Sequence, residues 1–203
     1  MFNGLIRELA TVLSYTNNTL RLKARHRPNL GDSVAVNGAC LSVTEIFTDG
    51  FSVELSAETR NNIAIENLKG KVHIEPAMCL GDRIDGHLVQ GHIDAIGKIK
   101  QINRHENGVD VLIELPDEVM ALMANKGSVC IDGVSLTINE VFKNTIRLTI
   151  IPITFKESLF NEFKVGRRVN VESDLLARYV AHQLGFSKKS MSWDEAQHIA
   201  SLY

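Results

Sequence analysis

The chain contains one segment written twice. Residues 33–47 align without a gap against residues 128–142. Six positions are identical in both copies: Ser33, Val34, Gly38, Leu41, Glu45 and Phe47 have the same residue as their partners. Most other pairs are conservative, such as Asn37 with Asp132. Because both copies have to form the same unit, this repeat limits the possible folds more than any other feature.

The similarity continues outside this segment. Glu58-Thr59 aligns with Ile153-Thr154 at the same offset, and residues 71–75 resemble residues 168–172 after a two-residue insertion. A weaker match sets residues 4–9 against residues 91–96, which puts the boundary between the copies near Asp85 to His87. The sequence therefore predicts a first domain over 1–86, a second over 87–185 and a tail over 186–203.

Each copy is predicted to be a small antiparallel barrel. Short runs rich in Val, Ile, Leu and Phe alternate with Gly, Asn and Asp, a spacing typical of strands in antiparallel sheets. The predicted strands include Ser33–Val36, Cys40–Phe47, Phe51–Leu55, Val109–Leu115 and Ile146–Ile151. Asn37-Gly38 and Asp132-Gly133 are hairpin-turn dipeptides. About six strands in under about 100 residues favour a closed barrel, so the fold class is mainly β, with two tandem six-stranded barrels.

Helical signals lie at the connections and in the tail. The run from Pro116 to Met123 predicts a short helix with acids in its first turn, and Asp174 can cap a helix from Leu175 to Leu184 that stops at Gly185. Ser192 to Glu195 is a capping-box pattern for a last helix ending near Tyr203. Apolar stripes on the tail, formed by Leu175, Tyr179, Ala196, Ile199 and Leu202, suggest self-association; packing back on its own barrel is the alternative.

Charge and cysteine content exclude several classes of protein. The net charge is −2 and the pI about 6.4, too weak a field to hold nucleic acid. Three widely spaced cysteines, an odd number without a CxxC pair, indicate neither a disulfide framework nor a structural zinc site. Since no signal peptide or membrane span is visible either, the expectation is a cytoplasmic protein that binds neither nucleic acid nor membrane.

Several motifs together resemble a known family. They are Asn-Gly-x-Cys-Leu-Ser-Val, its partner Asp-Gly-x-Ser-Leu-Thr-Ile, the opening Met1-Phe2-Asn3-Gly4, and Gly86-His-Leu-Val-Gln-Gly-His92. In this order they resemble riboflavin synthase of the α-chain type, up to about Gly185. The resemblance implies that each barrel binds one 6,7-dimethyl-8-ribityllumazine. A four-carbon unit then passes between the two molecules and gives riboflavin and 5-amino-6-ribitylaminouracil, without cofactor or metal.

The resemblance also implies a set of substrate contacts. In the first barrel they fall on Gly4, Leu5, Ile6, Cys40, Leu41, Ser42 and Thr59. In the second they fall on Gly91, His92, Ile93, Ser135, Leu136, Thr137, Ile151 and Thr154, with Lys126 at the rim. Members of the family are homotrimers in which the first barrel of one subunit meets the second barrel of its neighbour, so the site would straddle subunits. Association with lumazine synthase is left open.

The residues that the resemblance connects with chemistry are Ser33, Cys40, His92, Ser135 and Asp174. Cys40 is replaced by Ser135 in the second copy, and Leu5 of the first copy by His92. We hypothesise that these differences separate the donor from the acceptor of the four-carbon unit. His92 could move protons near neutral pH. Cys40 and Ser135 could donate hydrogen bonds, act as nucleophiles or hold a water molecule, and the residues do not choose between these roles.

Other interpretations of the same residues stay open. Cys40 alone is more often a small buried hydrophobe, Ser135 and Thr137 could pair across strands, and Asp174 could only cap a helix. Asn3, Ser42 and Ile153 depart from the usual Thr, Thr and His or Glu of the family. His87 and His92 would lie on opposite faces of an extended strand, which disfavours a shared metal.

The rival function is that of the lumazine-binding antenna proteins, which share the duplicated fold and bind the chromophore without converting it. Those proteins have typically lost the histidine-containing run. Its retention here at residues 86–92, together with Cys40 and Ser135, favours the enzyme.

Overall fold

Two closed, six-stranded antiparallel barrels make up most of the computed structural model, which describes residues 1–187. The strands of the first barrel are β1 (Glu8–Thr16), β2 (Thr19–Lys23), β3 (Ser33–Val36), β4 (Ala39–Phe47), β5 (Gly50–Glu54) and β6 (Lys71–Pro76). Those of the second are β7 (Ala95–His105), β8 (Gly108–Glu114), β9 (Ser128–Ile131), β10 (Val134–Val141), β11 (Thr145–Ile150) and β12 (Arg168–Ser173). The order around the first barrel is β1-β2-β5-β4-β3-β6, and the second repeats it with equivalent strands. The predicted fold class is confirmed.

Alternation along the strands fills the barrel interiors. In β11, Ile146, Leu148 and Ile150 are buried, while the residues between them are partly exposed. This period of two sends one face of each strand inward. The two interiors form separate cores, one that includes Leu20 and Phe51 and another that includes Ile99 and Ile146. Each barrel is therefore filled by its own side chains.

Both predicted hairpin turns are confirmed and they meet each other. Asn37 and Gly38 have φ of 45° and 84°, and Asp132 and Gly133 have 45° and 87°, as tight two-residue turns between antiparallel strands require. A Cβ atom added to Gly38 would lie 2.7 Å from the backbone nitrogen of Gly133. The two turns therefore pack backbone against backbone where the barrels touch.

Matched side chains join the barrels around these turns. His73 lies in β6 and its counterpart in β12 is Asn170. His73 Nδ1 is 2.8 Å from the Asp132 carbonyl, and its Nε2 accepts from the backbone N–H of Leu159 at 2.8 Å. Asn170 donates from Nδ2 to a carbonyl of the other barrel at 2.8 Å, and its Oδ1 accepts from a backbone N–H at 2.7 Å. Each side chain thus bridges one donor and one acceptor across the interface.

Short helices lie at the connections: α1 (Ala57–Asn62), α2 (Asp117–Met120), α3 (Pro152–Glu157) and α4 (Leu175–Ser187), with 3-10 turns at Ile65–Asn67 and Leu159–Glu162. The helix predicted from Pro116 to Met123 is present but shorter. Asp174 caps α4 as predicted, since its Oδ1 accepts from the N–H of Leu176 at 2.8 Å.

The predicted end of α4 at Gly185 is wrong, because the helix continues to Ser187. A glycine ends a helix when it adopts a left-handed conformation, and Gly185 is not among the residues with positive φ. The further helix predicted from Ser192 lies outside the described residues. Along α4, Leu176, Val180 and Leu184 are exposed at four-residue spacing, so this stripe does not pack on the chain's own barrels.

Candidate functional site

Two buried glutamates hold two matching loop segments. Glu75 in β6 accepts from the N–H groups of Asn3 and Gly4 at 2.7 and 3.0 Å. Glu172 in β12 accepts from those of Gln90 and Gly91 at 2.8 and 2.9 Å. Burial raises the pKa of both carboxyl groups, and these backbone hydrogen bonds oppose the rise. Each glutamate therefore fixes a segment by accepting two N–H groups.

The held segments then cross to the other barrel. The Gly4 carbonyl accepts from the N–H of Ser135 in β10 at 2.7 Å, and the Gly91 carbonyl accepts from that of Cys40 in β4 at 2.9 Å. Both glycines have positive φ, 73° and 80°. A Cβ on either would lie 2.6 Å from the Cβ of Ser135 or Cys40 respectively, closer than such atoms can approach. Glycine is required at both positions by this close approach.

Cavity A lies where the second crossing segment meets the first barrel. Its volume is about 460 Å³, and it is lined by Ala39, Cys40, Glu58, Thr59, Asn62, Ile63, Gly91, His92 and Ile93. Helix α1 brings its polar residues to the wall. Ser56 caps this helix by accepting from the N–H of Thr59 at 3.0 Å, which fixes Thr59 in the first turn.

Cavity B is the counterpart on the second barrel. Its volume is about 230 Å³, and it is lined by Gly4, Leu5, Ile6, Val134, Ser135, Ile153, Thr154, Glu157 and Ser158. Helix α3, which starts with a proline, carries part of this wall. Each lining residue of cavity B occupies the position equivalent to a lining residue of cavity A, so the repeat has produced two versions of one site.

The cavities group the predicted contact residues differently from the sequence. The sequence assigns residues 4–6 to the first barrel and residues 91–93 to the second, but the structure puts them in cavities B and A respectively. The reason lies in two backbone N–H groups, those of Cys40 at the start of β4 and Ser135 at the start of β10. No neighbouring strand accepts a hydrogen bond from either of them. Each crossing segment supplies the missing carbonyl.

A histidine of the family motif that is not among the predicted site residues lies beside cavity B. His87 Nδ1 is 2.7 Å from Ser135 Oγ, and the side chain is only 8% exposed. Its Nε2 has no hydrogen-bond partner within residues 1–187. Burial lowers the pKa of His87, and the negative charge of Asp174 opposes this. The sequence shows the motif that contains His87, but it does not show the contact with Ser135, which is 48 positions away.

The extended strand predicted between His87 and His92 is absent from the structure. Only the bridge between Phe2 and Val89 is strand-like, and Gly91 breaks the segment with its positive φ. His87 is buried while His92 is exposed at the mouth of cavity A. Among the residues that the structure describes, no three His, Cys, Asp or Glu side chains are arranged to hold a metal ion.

Of the predicted site residues, ten line the two cavities: Cys40, Thr59, Gly91, His92 and Ile93 in cavity A, and Gly4, Leu5, Ile6, Ser135 and Thr154 in cavity B. The others lie nearby or behind. Leu41 is buried in the first core, and Leu136 packs against the second. Ser33 pairs with Ser42 across β3 and β4, while Thr137, Lys126 and Ile151 are exposed.

Asp174 is the remaining predicted site residue. It caps α4, and its negative charge opposes the effect of burial, which lowers the pKa of His87, the histidine that contacts Ser135. Both the structural and the functional interpretation of this residue are therefore compatible with its position. In the part of the chain that the structure describes, none of the helices has the length and apolar character to span a bilayer.

Known proteins resemble this chain over most of its length. The family model of the lumazine binding domain matches it twice, over residues 3–77 and 90–174. Riboflavin synthase of Photobacterium leiognathi is 36% identical over 191 residues, which cover 89% of this chain and 87% of that protein. Riboflavin synthase of Bacillus subtilis (strain 168) is 35% identical over 189 residues, 89% of this chain and 88% of that protein.

Among solved structures, LumP complexed with riboflavin superposes with a TM-score of 0.76 at 21% sequence identity, covering 85% of this chain and 99% of that one. LumP complexed with 6,7-dimethyl-8-(1'-D-ribityl) lumazine gives a TM-score of 0.73. At this level of identity the similarity shows that the fold is shared.

Proposed function

Since this chain belongs to the riboflavin synthase family, we propose that it converts two molecules of 6,7-dimethyl-8-ribityllumazine into riboflavin and 5-amino-6-ribitylaminouracil. One molecule binds in cavity A and the other in cavity B. The observation that carries this proposal is the equivalence of the two cavities, residue position by residue position. Two copies of one substrate need two versions of one site.

The conversion is a transfer between like molecules and needs no external oxidant. The four-carbon unit, made of C6, C7 and their methyl groups, leaves the donor as its bonds to N5 and N8 break. Two C–C bonds form between this unit and the methyl carbons of the acceptor. The hydrogens released by the acceptor's methyl groups end on nitrogens of the donor. Positioning the two molecules turns a rare collision into an intramolecular reaction.

Ser135 and His87 are suited to activate a nucleophile. Because burial lowers the pKa of His87, the imidazole is neutral near pH 7 and can accept the proton of the Ser135 hydroxyl at 2.7 Å. Either this oxygen or a water molecule held by it would add to C7 of the lumazine in cavity B. The addition removes the double bond at C7, and the nucleophile leaves again as the new C–C bonds form, so that neither product retains it.

The experiment is to incubate the purified full chain with the lumazine and follow riboflavin by absorbance and fluorescence. We expect one riboflavin for every two lumazines consumed. Ser135→Ala, which removes the hydroxyl and keeps the fold, should slow turnover by about two orders of magnitude or more. Lumazine that stays bound and unconverted in the wild-type protein would refute the proposal and favour the antenna-type function.

The assembly is proposed to be a homotrimer, with cavity A of one subunit facing cavity B of the next. The exposed stripe Leu176, Val180 and Leu184 of α4 supports self-association, as do Ile151 and Ile153, which are exposed at the start of α3. Cys40, Cys79 and Cys130 are all free thiols, which fits the reducing cytoplasm as the place of action.

A mixing experiment tests the shared site. Thr59→Phe obstructs cavity A, and Thr154→Phe is the same substitution at the equivalent position of cavity B. Each variant alone should be inactive. The two variants are then unfolded together and refolded as a mixture. In a closed ring assembled at random, about a quarter of the subunit junctions bring an open cavity A against an open cavity B, so about a quarter of the wild-type activity should return. No recovery in a correctly assembled mixture would place both ligands of a reaction on one chain.

A further inference from the structure

The two cavities differ at six of their nine equivalent positions, and several of these differences change the chemistry of the wall. Cavity A has Glu58 and His92 where cavity B has Ile153 and Leu5. Cavity A is also the larger of the two, at about 460 Å³ against about 230 Å³. Such differences are expected where two sites bind the same ligand for different roles.

From these differences, and resting on the proposed function, we propose that cavity A holds the acceptor of the four-carbon unit and cavity B holds the donor. The acceptor grows during the reaction because it gains a third ring and becomes riboflavin. The donor shrinks because it loses the same four carbons and becomes the uracil. The larger cavity therefore suits the molecule that has to be accommodated as the larger product.

One polar difference, at the position of His92, assigns the same roles. The acceptor's two methyl carbons form the new C–C bonds and release their hydrogens, so a group that accepts protons belongs beside the acceptor. His92, exposed at the mouth of cavity A, has an apolar residue, Leu5, at the equivalent position of cavity B. An imidazole can take up and release protons near neutral pH, whereas leucine cannot.

The donor needs a different kind of help, because its carbon atoms have to be attacked before the bonds to N5 and N8 break. Ser135 and His87 form their 2.7 Å contact at cavity B. At cavity A the equivalent residue is Cys40, which carries a thiol in place of the hydroxyl. Size and chemistry are separate observations, and both assign the same roles.

The test measures where each product binds, using Thr59→Phe for cavity A and the matched Thr154→Phe for cavity B. Thr59→Phe should weaken the binding of riboflavin more than about tenfold, whereas Thr154→Phe should change it less than about twofold. The uracil product should show the opposite pattern. Fluorescence quenching reports riboflavin, and calorimetric titration reports the uracil.

A second matched pair guards against misfolding. Asn62→Phe and Glu157→Phe alter equivalent exposed side chains at the ends of α1 and α3, and they should repeat the pattern. If Thr154→Phe weakened riboflavin binding more than Thr59→Phe, or if both variants weakened it equally, the assignment of acceptor and donor would be overturned. Turnover by the wild-type chain would be unaffected by that result. A wild-type chain that forms no riboflavin would refute the proposed function itself, and the assignment with it.

Discussion

Replacing His73 with asparagine should remove a pH dependence of stability. His73 is 1% exposed and bridges the barrels as a neutral imidazole, with one nitrogen facing a carbonyl and the other accepting from an N–H. Protonation would set two N–H groups against each other at Leu159. The equivalent residue Asn170 forms the same kind of bridge without titrating, so His73→Asn is a substitution that the protein itself already uses.

The size of the effect follows from the pKa. Burial lowers the pKa of His73 from 6.5 to about 4. A lowered pKa means that the unfolded chain takes up a proton first, so stability is complete above about pH 6.5 and is lost as the pH falls towards 4. Between pH 7 and pH 5 the wild-type protein should lose about 2 kcal/mol relative to His73→Asn.

The comparison with the variant is needed because Asp132 acts in the opposite direction. Burial raises the pKa of this carboxyl to about 6, so folding is favoured as the pH falls through that value. Both proteins share this contribution, and it cancels in the difference. Urea unfolding followed by circular dichroism at pH 7 and pH 5 measures the two free energies. Parallel pH profiles for wild type and variant would refute this role of His73.

Each crossing segment should depend on the glutamate that holds it and on its glycine. Glu172→Gln, although in the second barrel, should weaken lumazine binding in cavity A by about 2 kcal/mol, because an N–H of residues 90–91 loses its charged acceptor. Glu75→Gln should weaken lumazine binding in cavity B by the same amount. A two-site titration followed by fluorescence distinguishes binding in cavity A from binding in cavity B. If each substitution weakened binding in the cavity of its own barrel instead, the crossing of the segments would be contradicted. Gly91→Ala should lower the free energy of unfolding by about 2 kcal/mol or more, since its Cβ would meet Cys40. Thermal denaturation checks this, and an unchanged midpoint would show that the close approach is relaxed.

Much of the fold could be predicted from the sequence because its signals are local. Asn37-Gly38 and Asp132-Gly133 specify tight turns through their own backbone preferences, and both turns are present. The ungapped repeat then carries strand assignments from one copy to the other. The end of α4 could not be predicted in this way, because glycine tolerates helical as well as left-handed backbone and its identity alone does not fix the conformation of Gly185.

The assembly of the site could be predicted only in part. Family motifs predicted the glycine segments and Cys40 and Ser135, which line the cavities. The exchange of segments between barrels depends instead on which backbone N–H groups remain unpaired after the sheets close. Such groups leave no mark in the sequence. The same holds for His87, whose proposed role depends on contact with a residue far along the chain.

If the repeat creates two crossed cavities that hold the two ligands of one reaction, both ligands should be visible together. The most direct measurement is a crystal structure of the assembled protein with a lumazine analogue that cannot react. We expect two ligands per chain, one against Cys40 and residues 91–93 and one against Ser135 and residues 4–6, with the nearest pair in contact. Ligand in only one kind of cavity, or a nearest pair too distant to touch, would contradict this arrangement.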